Sequence, residues 1–125
     1  MNRKLLAEML QFQTDVIWTT SCRMYPRLRK FSAPTIRLCA RLWRTAGLCY
    51  QEENSITLAY KFFLHSDEYR QQMLQVILPH EIAHQVDFNL YGISEEKTGH
   101  GRNWQQIMLD YGLEPSPYHT MEISR

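Results

Sequence analysis

A chain of 125 residues has the length of one domain, enough for a single modest core and too short for two. Hydrophobic residues at 44% and charged residues at 22% exclude a low-complexity or disordered polypeptide, and no apolar run approaches the roughly 18 residues that a membrane span requires. The net charge of +1 hides an asymmetry: residues 1–50 carry nine Lys/Arg against two Asp/Glu, and residues 51–125 carry five against eleven.

The N-terminal stretch MNRKLLAEMLQFQTDVIW has Glu8 and Asp15 among its apolar positions, so it lacks the apolar centre and cleavage site of an export signal. Over residues 3–20 the spacing of Leu6, Met9, Leu10, Gln13, Val16 and Ile17 predicts an amphipathic helix. The three cysteines, Cys22, Cys39 and Cys49, are odd in number and form no C-x-x-C pair. This argues against a disulfide framework or a cysteine zinc ribbon and points to a reducing cytoplasm.

From Pro34 the pattern changes to alternation, with Ile36, Leu38, Ala40 and Leu42 opposite Thr35, Arg37, Cys39 and Arg41, the period of a half-buried strand. Further strands are expected in LCY and SITLAY, separated by the polar QEENS, giving a small antiparallel sheet of about three strands. Ser66 or Asp67 then caps a helix whose apolar face runs through Met73, Leu74, Ile77, Leu78, Ile82, Ala83 and Val86. Within it, Pro79 lacks an N–H and crowds the carbonyl of Gln75, so a kink or a fresh helix start is expected there. After Tyr91 and Gly92 comes a polar loop, ISEEKTGHG, and then a second helix over WQQIMLDY, with Trp104, Ile107, Met108 and Tyr111 on one face and Gly112 and Pro115 ending it.

The motif helix carries VILPHEIAHQVD. His80 and His84 stand four residues apart, about 40° of rotation and one turn of rise, so both imidazoles project to one side and can grip one metal ion. Glu81, beside them but offset, suits a carboxylate that takes a proton from an activated water without binding the metal. Chance produces an H-E-x-x-H match in a chain this short on the order of once in a few hundred, so a coincidental pair of solvent histidines is the weaker explanation.

Catalytic zinc takes three protein ligands and keeps one open position. The extended pattern H-E-x-x-H-x-x-G-x-x-H is excluded, because Asp87 and Leu90 occupy its last two positions. The loop carboxylates Glu95 and Glu96 are within reach along the chain, and Cys49 offers a soft ligand. His100 is the strongest candidate, because Gly99 and Gly101 let a short loop turn tightly and Trp104 would anchor it.

HEIAH at 80–84 followed by HGRNW at 100–104 resembles the SprT-like zinc metallopeptidase family, whose pattern is His-Glu-x-x-His and then His-Gly-x-x-Trp. Pro79 before the first histidine and the segment LDYGLEPSPYHTMEI fit the same family. The resemblance implies an α+β, zincin-like minimal metalloprotease domain spanning residues 1–125. It also implies one catalytic Zn2+ held by His80, His84 and His100, with Glu81 as the acid/base that hydrolyses a peptide bond. Eukaryotic relatives degrade proteins crosslinked to DNA, which makes DNA-associated proteins candidate substrates. Two departures stand out. No asparagine ends the last strand, where Ala59, Tyr60 and Lys61 stand, and the C-terminal zinc ribbon of longer bacterial members is absent from these residues.

A substrate strand is expected to pair with an exposed sheet edge at Ile56–Tyr60. A rival reading makes the chain a non-hydrolytic, zinc-stapled DNA-binding module, with DNA contacted through Arg23, Arg27, Arg29, Lys30, Arg37, Arg41 and Arg44 and bases stacked on Tyr25 and Trp43. His119, with Tyr118 beside it, is expected either to pack or to assist at the active site, and His65 is expected at the surface.

Overall fold

The structure is a computed structural model that describes residues 2–93 and 98–123. Helix α1 (Arg3–Met24) is followed by a 3₁₀ turn (Pro26–Lys30), then β1 (Thr35–Cys39), β2 (Gly47–Tyr50) and β3 (Ser55–Ala59). Two short helices, α2 (Tyr60–His65) and α3 (Asp67–Gln72), lead through a wide turn (Met73–Ile77) into α4 (Leu78–Tyr91), and α5 (Arg102–Asp110) closes the order. The α+β architecture expected from the pattern is present, with the motif on α4.

Helix α1 buries Leu6, Leu10, Thr14, Trp18 and Ser21, a stripe recurring every three or four residues. Two of these are polar, and burial is possible because each hydroxyl donates to a carbonyl one turn back: Thr14 to Leu10 and Ser21 to Ile17, both at 2.7 Å. Gln13 and Val16, expected on the buried face, point to solvent. The stripe through Leu10, Thr14 and Trp18 leaves Gln13 on its flank and Val16 on the far side of the helix.

The sheet has the expected three strands but not the expected directions. Its order is β1-β3-β2; β3 is antiparallel to β2 and parallel to β1. Asn54 explains the parallel pair. It adopts a left-handed conformation (φ 52°) in the β2–β3 turn, accepts from the Thr35 N–H through its carbonyl at 3.0 Å, and donates its side-chain amide to the carbonyls of Ser32 and Ala33 at 3.0 and 3.3 Å. The starts of β1 and β3 are thereby tied at the same end of the sheet. Alternation reveals a strand but not the direction of its partner.

This order assigns the edges. Because β3 is central, Ile56–Tyr60 is not an exposed edge, contrary to expectation. The outer edge of β1 is capped by α1: the Gln11 amide donates to the Pro34 carbonyl (3.0 Å) and accepts from the Ile36 N–H (2.9 Å), and Arg3 donates to the Leu38 carbonyl (2.6 Å). Such capping blunts an edge that would otherwise recruit another strand. The other edge belongs to β2.

Ser66, not Asp67, caps α3, accepting from the Tyr69 N–H at 3.1 Å. Pro79 lies in the first turn of α4, so a helical segment starts beside it as expected, but without a break in the helical backbone. The backbone stays right-handed helical at Gln72, Met73, Ile77 and Leu78, and the ladder widens to i→i−5, with the Leu78 N–H donating to the Met73 carbonyl. One extra residue per turn makes room upstream of the proline ring, and such π turns gather at functional sites. Beyond it, every residue from Leu78 to Asp87 is buried, because α4 runs between the sheet, α1 and α5. Tyr25 at the end of α1 donates to the Asp110 carboxylate, and Ser21 shares a 2.7 Å hydrogen bond with the Tyr111 hydroxyl, fastening α5 to α1.

Gln11 pairs both a buried donor and an acceptor of β1, so Gln11→Ala is expected to lower unfolding free energy by about 1–3 kcal/mol in urea titrations; an unchanged midpoint would show that water replaces the amide without cost.

Candidate metal centre

The widened turn and Pro79 deliver His80 and His84 onto one side of α4, where both are buried. The loop before α5 brings His100 to them. The three Nε2 atoms form a nearly equilateral triangle, with sides of 3.1 Å (His80–His100), 3.2 Å (His80–His84) and 3.1 Å (His84–His100). A neutral imidazole nitrogen is either donor or acceptor, so three Nε2 atoms cannot all satisfy one another by hydrogen bonding. Nitrogens each about 2.0–2.1 Å from one tetrahedral ion would stand roughly 3.3 Å apart, close to the observed triangle. Among the described residues these three histidines form one group able to hold a metal ion.

Their protonation favours this. Burial, then His100 and His119, lowers the His80 pKa from 6.5 to about 4. Burial, then His80 and His100, lowers that of His84 to about 3, against a backbone hydrogen bond with Gly99. Both are therefore neutral near pH 7 and offer lone pairs without a competing proton.

Trp104 is the floor of the site. Fully buried on α5, its indole donates to the His80 carbonyl at 3.2 Å, and its ring centre lies 4.7, 5.4 and 4.6 Å from those of His80, His84 and His100. Gly99 completes the arrangement in two ways. Its φ is +74°, and a Cβ there would stand 3.3 Å from His84 Cε1, so the loop reaches the site only because this residue has no side chain.

Glu81 is buried, with Oε2 3.7 Å from His80 Nε2. Burial raises its pKa from 4.5 to about 8. It lies against β2: a Cβ on Gly47 would stand 3.1 Å from Glu81 Cγ. Gln85, also buried, donates to the Gln51 carbonyl at 3.1 Å and to Asn89 at 3.0 Å, holding α4 to the end of β2. Around these groups opens a cleft of about 790 Å³, whose walls are β2 with the preceding loop and the C-terminal segment from Ser116 to Glu122.

Residues 10–121 match the SprT-like family, and Protein SprT of Pasteurella multocida (strain Pm70) is 32% identical over 97 residues, 77% of this chain and 54% of that protein. The chain belongs to the SprT-like family. Protein SprT of Pseudomonas aeruginosa (strain LESB58) is 32% identical over 98 residues, covering 78% of this chain and 56% of its own length. That of Vibrio parahaemolyticus serotype O3:K6 (strain RIMD 2210633) is 30% identical over 97 residues, covering 77% and 54%. The chain thus spans about half the length of the curated relatives it matches. No solved structure matches it significantly.

The other sequence candidates fall elsewhere. In this SprT-like domain Cys49 lines the cleft, but its thiol faces Gln85 Oε1 at 3.5 Å and lies outside the histidine group. Burial and then Glu81 push its pKa up, which keeps it a thiol. Glu95 and Glu96 lie outside the described residues. His65 is exposed and stacked on Tyr69 at 4.3 Å. Arg23, Arg27, Arg29, Lys30, Arg37, Arg41 and Arg44 are all exposed; Arg27 lies over the Tyr91 ring, and Arg44 lies over Trp43 and lines the cleft. Among the described residues no helix is long and apolar enough to cross a membrane. Trp104, expected to anchor the His100 loop, also holds the His80 carbonyl, and Gly47 carries a site role that no spacing rule marks, because it acts through a contact between distant segments.

Competition with a chelating dye should show His100→Ala losing its metal, Gly99→Ala binding roughly 10–100-fold more weakly, and Cys49→Ala binding as wild type; metal loss in the cysteine variant alone would reverse the ligand assignment. In metal-stripped protein His80 and His84 titrate below their unfolded value and Glu81 above its own. The histidine contribution is complete above about pH 6.5 and lost as pH falls through 4 and 3, whereas the Glu81 contribution is lost as pH rises from 4.5 through about 8. Unfolding free energy should therefore peak near pH 6.5, and Glu81→Gln should remove the alkaline decline; a decline that survives in that variant has another origin.

Proposed function

We propose that this SprT-like domain is a zinc metallopeptidase in which His80, His84 and His100 hold the ion and Glu81 is the general base. The observation that carries the reading is the placement of the Glu81 carboxyl group beside a triangle of imidazoles, in a cleft bounded by a sheet edge. An all-imidazole set suits zinc, and three ligands leave the position that a catalytic site needs, whereas a structural site is closed by four. That composition also weighs against a zinc that merely staples a DNA-binding module.

A zinc ion bound here would supply Lewis acidity, polarising a water and the scissile carbonyl. Glu81 then does the proton work. Burial alone would keep Glu81 protonated near pH 7, and the positive charge of a bound ion would draw that pKa back down. The ionised carboxylate, held against Gly47, takes the proton from the attacking water and returns it to the leaving amine. The Cys49 thiol stays protonated and is no competing nucleophile.

Of the two sheet edges, β1 is occupied by Gln11 and Arg3, while Gly47, Leu48 and Cys49 of β2 line the cleft. An extended peptide pairing with β2 would be held by its backbone, a mode that imposes little sequence preference and suits unfolded or DNA-associated protein substrates.

Zinc-loaded wild type should degrade an unfolded protein, and Glu81→Gln should lower kcat by about 10²–10⁴-fold with zinc content unchanged. Equal cleavage by the two would refute the assignment.

A further inference from the structure

The C-terminal segment does more than wall the cleft. It follows α5 without regular structure, yet two anchors fix it: Met121 is buried in the core, and the Tyr69 hydroxyl donates to the Glu122 carbonyl at 3.0 Å while accepting from the Glu122 N–H at 2.9 Å. Hydrogen bonds to both backbone groups of Glu122 fix the segment at that residue. His119, three residues before the clasp, lines the same cleft as His80, Glu81, His84 and His100. Its ring meets the buried Phe62 ring nearly edge-on, at 5.7 Å and 73°, which sets its plane.

One nitrogen of that ring has nothing to donate to. Nδ1 is buried and has no hydrogen-bond partner among the described residues. A neutral imidazole carries one donor and one acceptor nitrogen, and an orphaned buried N–H is the rarer and costlier arrangement. The proton therefore belongs on Nε2 of this half-buried, cleft-lining ring.

We propose that His119 is a substrate-contacting catalytic residue, its Nε2–H donating a hydrogen bond to the carbonyl oxygen of the scissile peptide as negative charge develops there. This inference rests on the peptidase reading. His119 keeps its proton throughout, so Glu81 remains the group that moves protons, and Phe62, Tyr69 and Met121 are positioning residues that aim the donor. A preorganised donor of this kind acts on the transition state more than on the bound substrate.

The test uses the zinc-loaded protein with His119→Phe, which keeps a ring against Phe62 but donates nothing, and His119→Gln, which retains a donor. Steady-state cleavage is measured beside calorimetric affinity for a phosphinic peptide, a tetrahedral mimic that is not turned over. For His119→Phe, kcat should fall about 10²-fold, with KM changed by less than about threefold and phosphinic-peptide affinity weakened at least about tenfold. Zinc content and melting temperature should be unchanged, and His119→Gln should recover part of both losses. Wild-type behaviour of His119→Phe would overturn the proposal, as would equal loss in both variants or loss of zinc or melting temperature in both. If the wild type neither cleaves protein nor binds the phosphinic peptide, the peptidase reading itself fails and takes this proposal with it; normal wild-type activity with an indifferent His119→Phe rejects the proposal alone.

Discussion

Everything at the functional end of this molecule depends on holding three imidazole nitrogens within about 3 Å of one another, two of them on histidines whose burial keeps them neutral. Lone pairs brought together repel, and protonating any one would bury a cation beside two other bases. The fold resists both outcomes by packing. Trp104 meets the His80 and His100 rings edge-on and stacks on His84, Gly99 lets the loop close on His84, and α4 is buried from Leu78 to Asp87. The arrangement is costly for a protein with nothing to bind and well suited to one that binds a metal ion.

The sheet is organised around the same end of the molecule. Three strands have only two edges, and α1 covers one of them with Gln11 and Arg3. The remaining edge, β2, presses Gly47 against Glu81 and faces the C-terminal segment across the cleft. A parallel β1–β3 pair is what makes this possible, since a simple meander would have put β2 in the centre. Asn54, which ties the starts of β1 and β3, thus helps determine which strand is left beside Glu81.

Much of this was legible in the sequence, for identifiable reasons. H-E-x-x-H is a local pattern whose geometry follows from helix pitch, and His100 stood out through its flanking glycines and Trp104. Ser66 was one of two proposed caps, and the strands showed their period. What could not be read depends on pairing across the chain. Strand direction was set by an Asn54 side chain reaching 22 residues back. Buried Thr14 and Ser21 passed as polar positions because their hydroxyls bond their own helix. Pro79 was visible as a disturbance, but its relief by a widened turn upstream was not.

The central claim is that the centre offers three histidine nitrogens and an open position. Zinc K-edge X-ray absorption on the stoichiometrically loaded protein tests it directly. The account predicts three imidazole nitrogens and one further light-atom ligand at about 2.0–2.1 Å. A sulfur neighbour near about 2.3 Å, or a shell closed by four protein ligands, would contradict it.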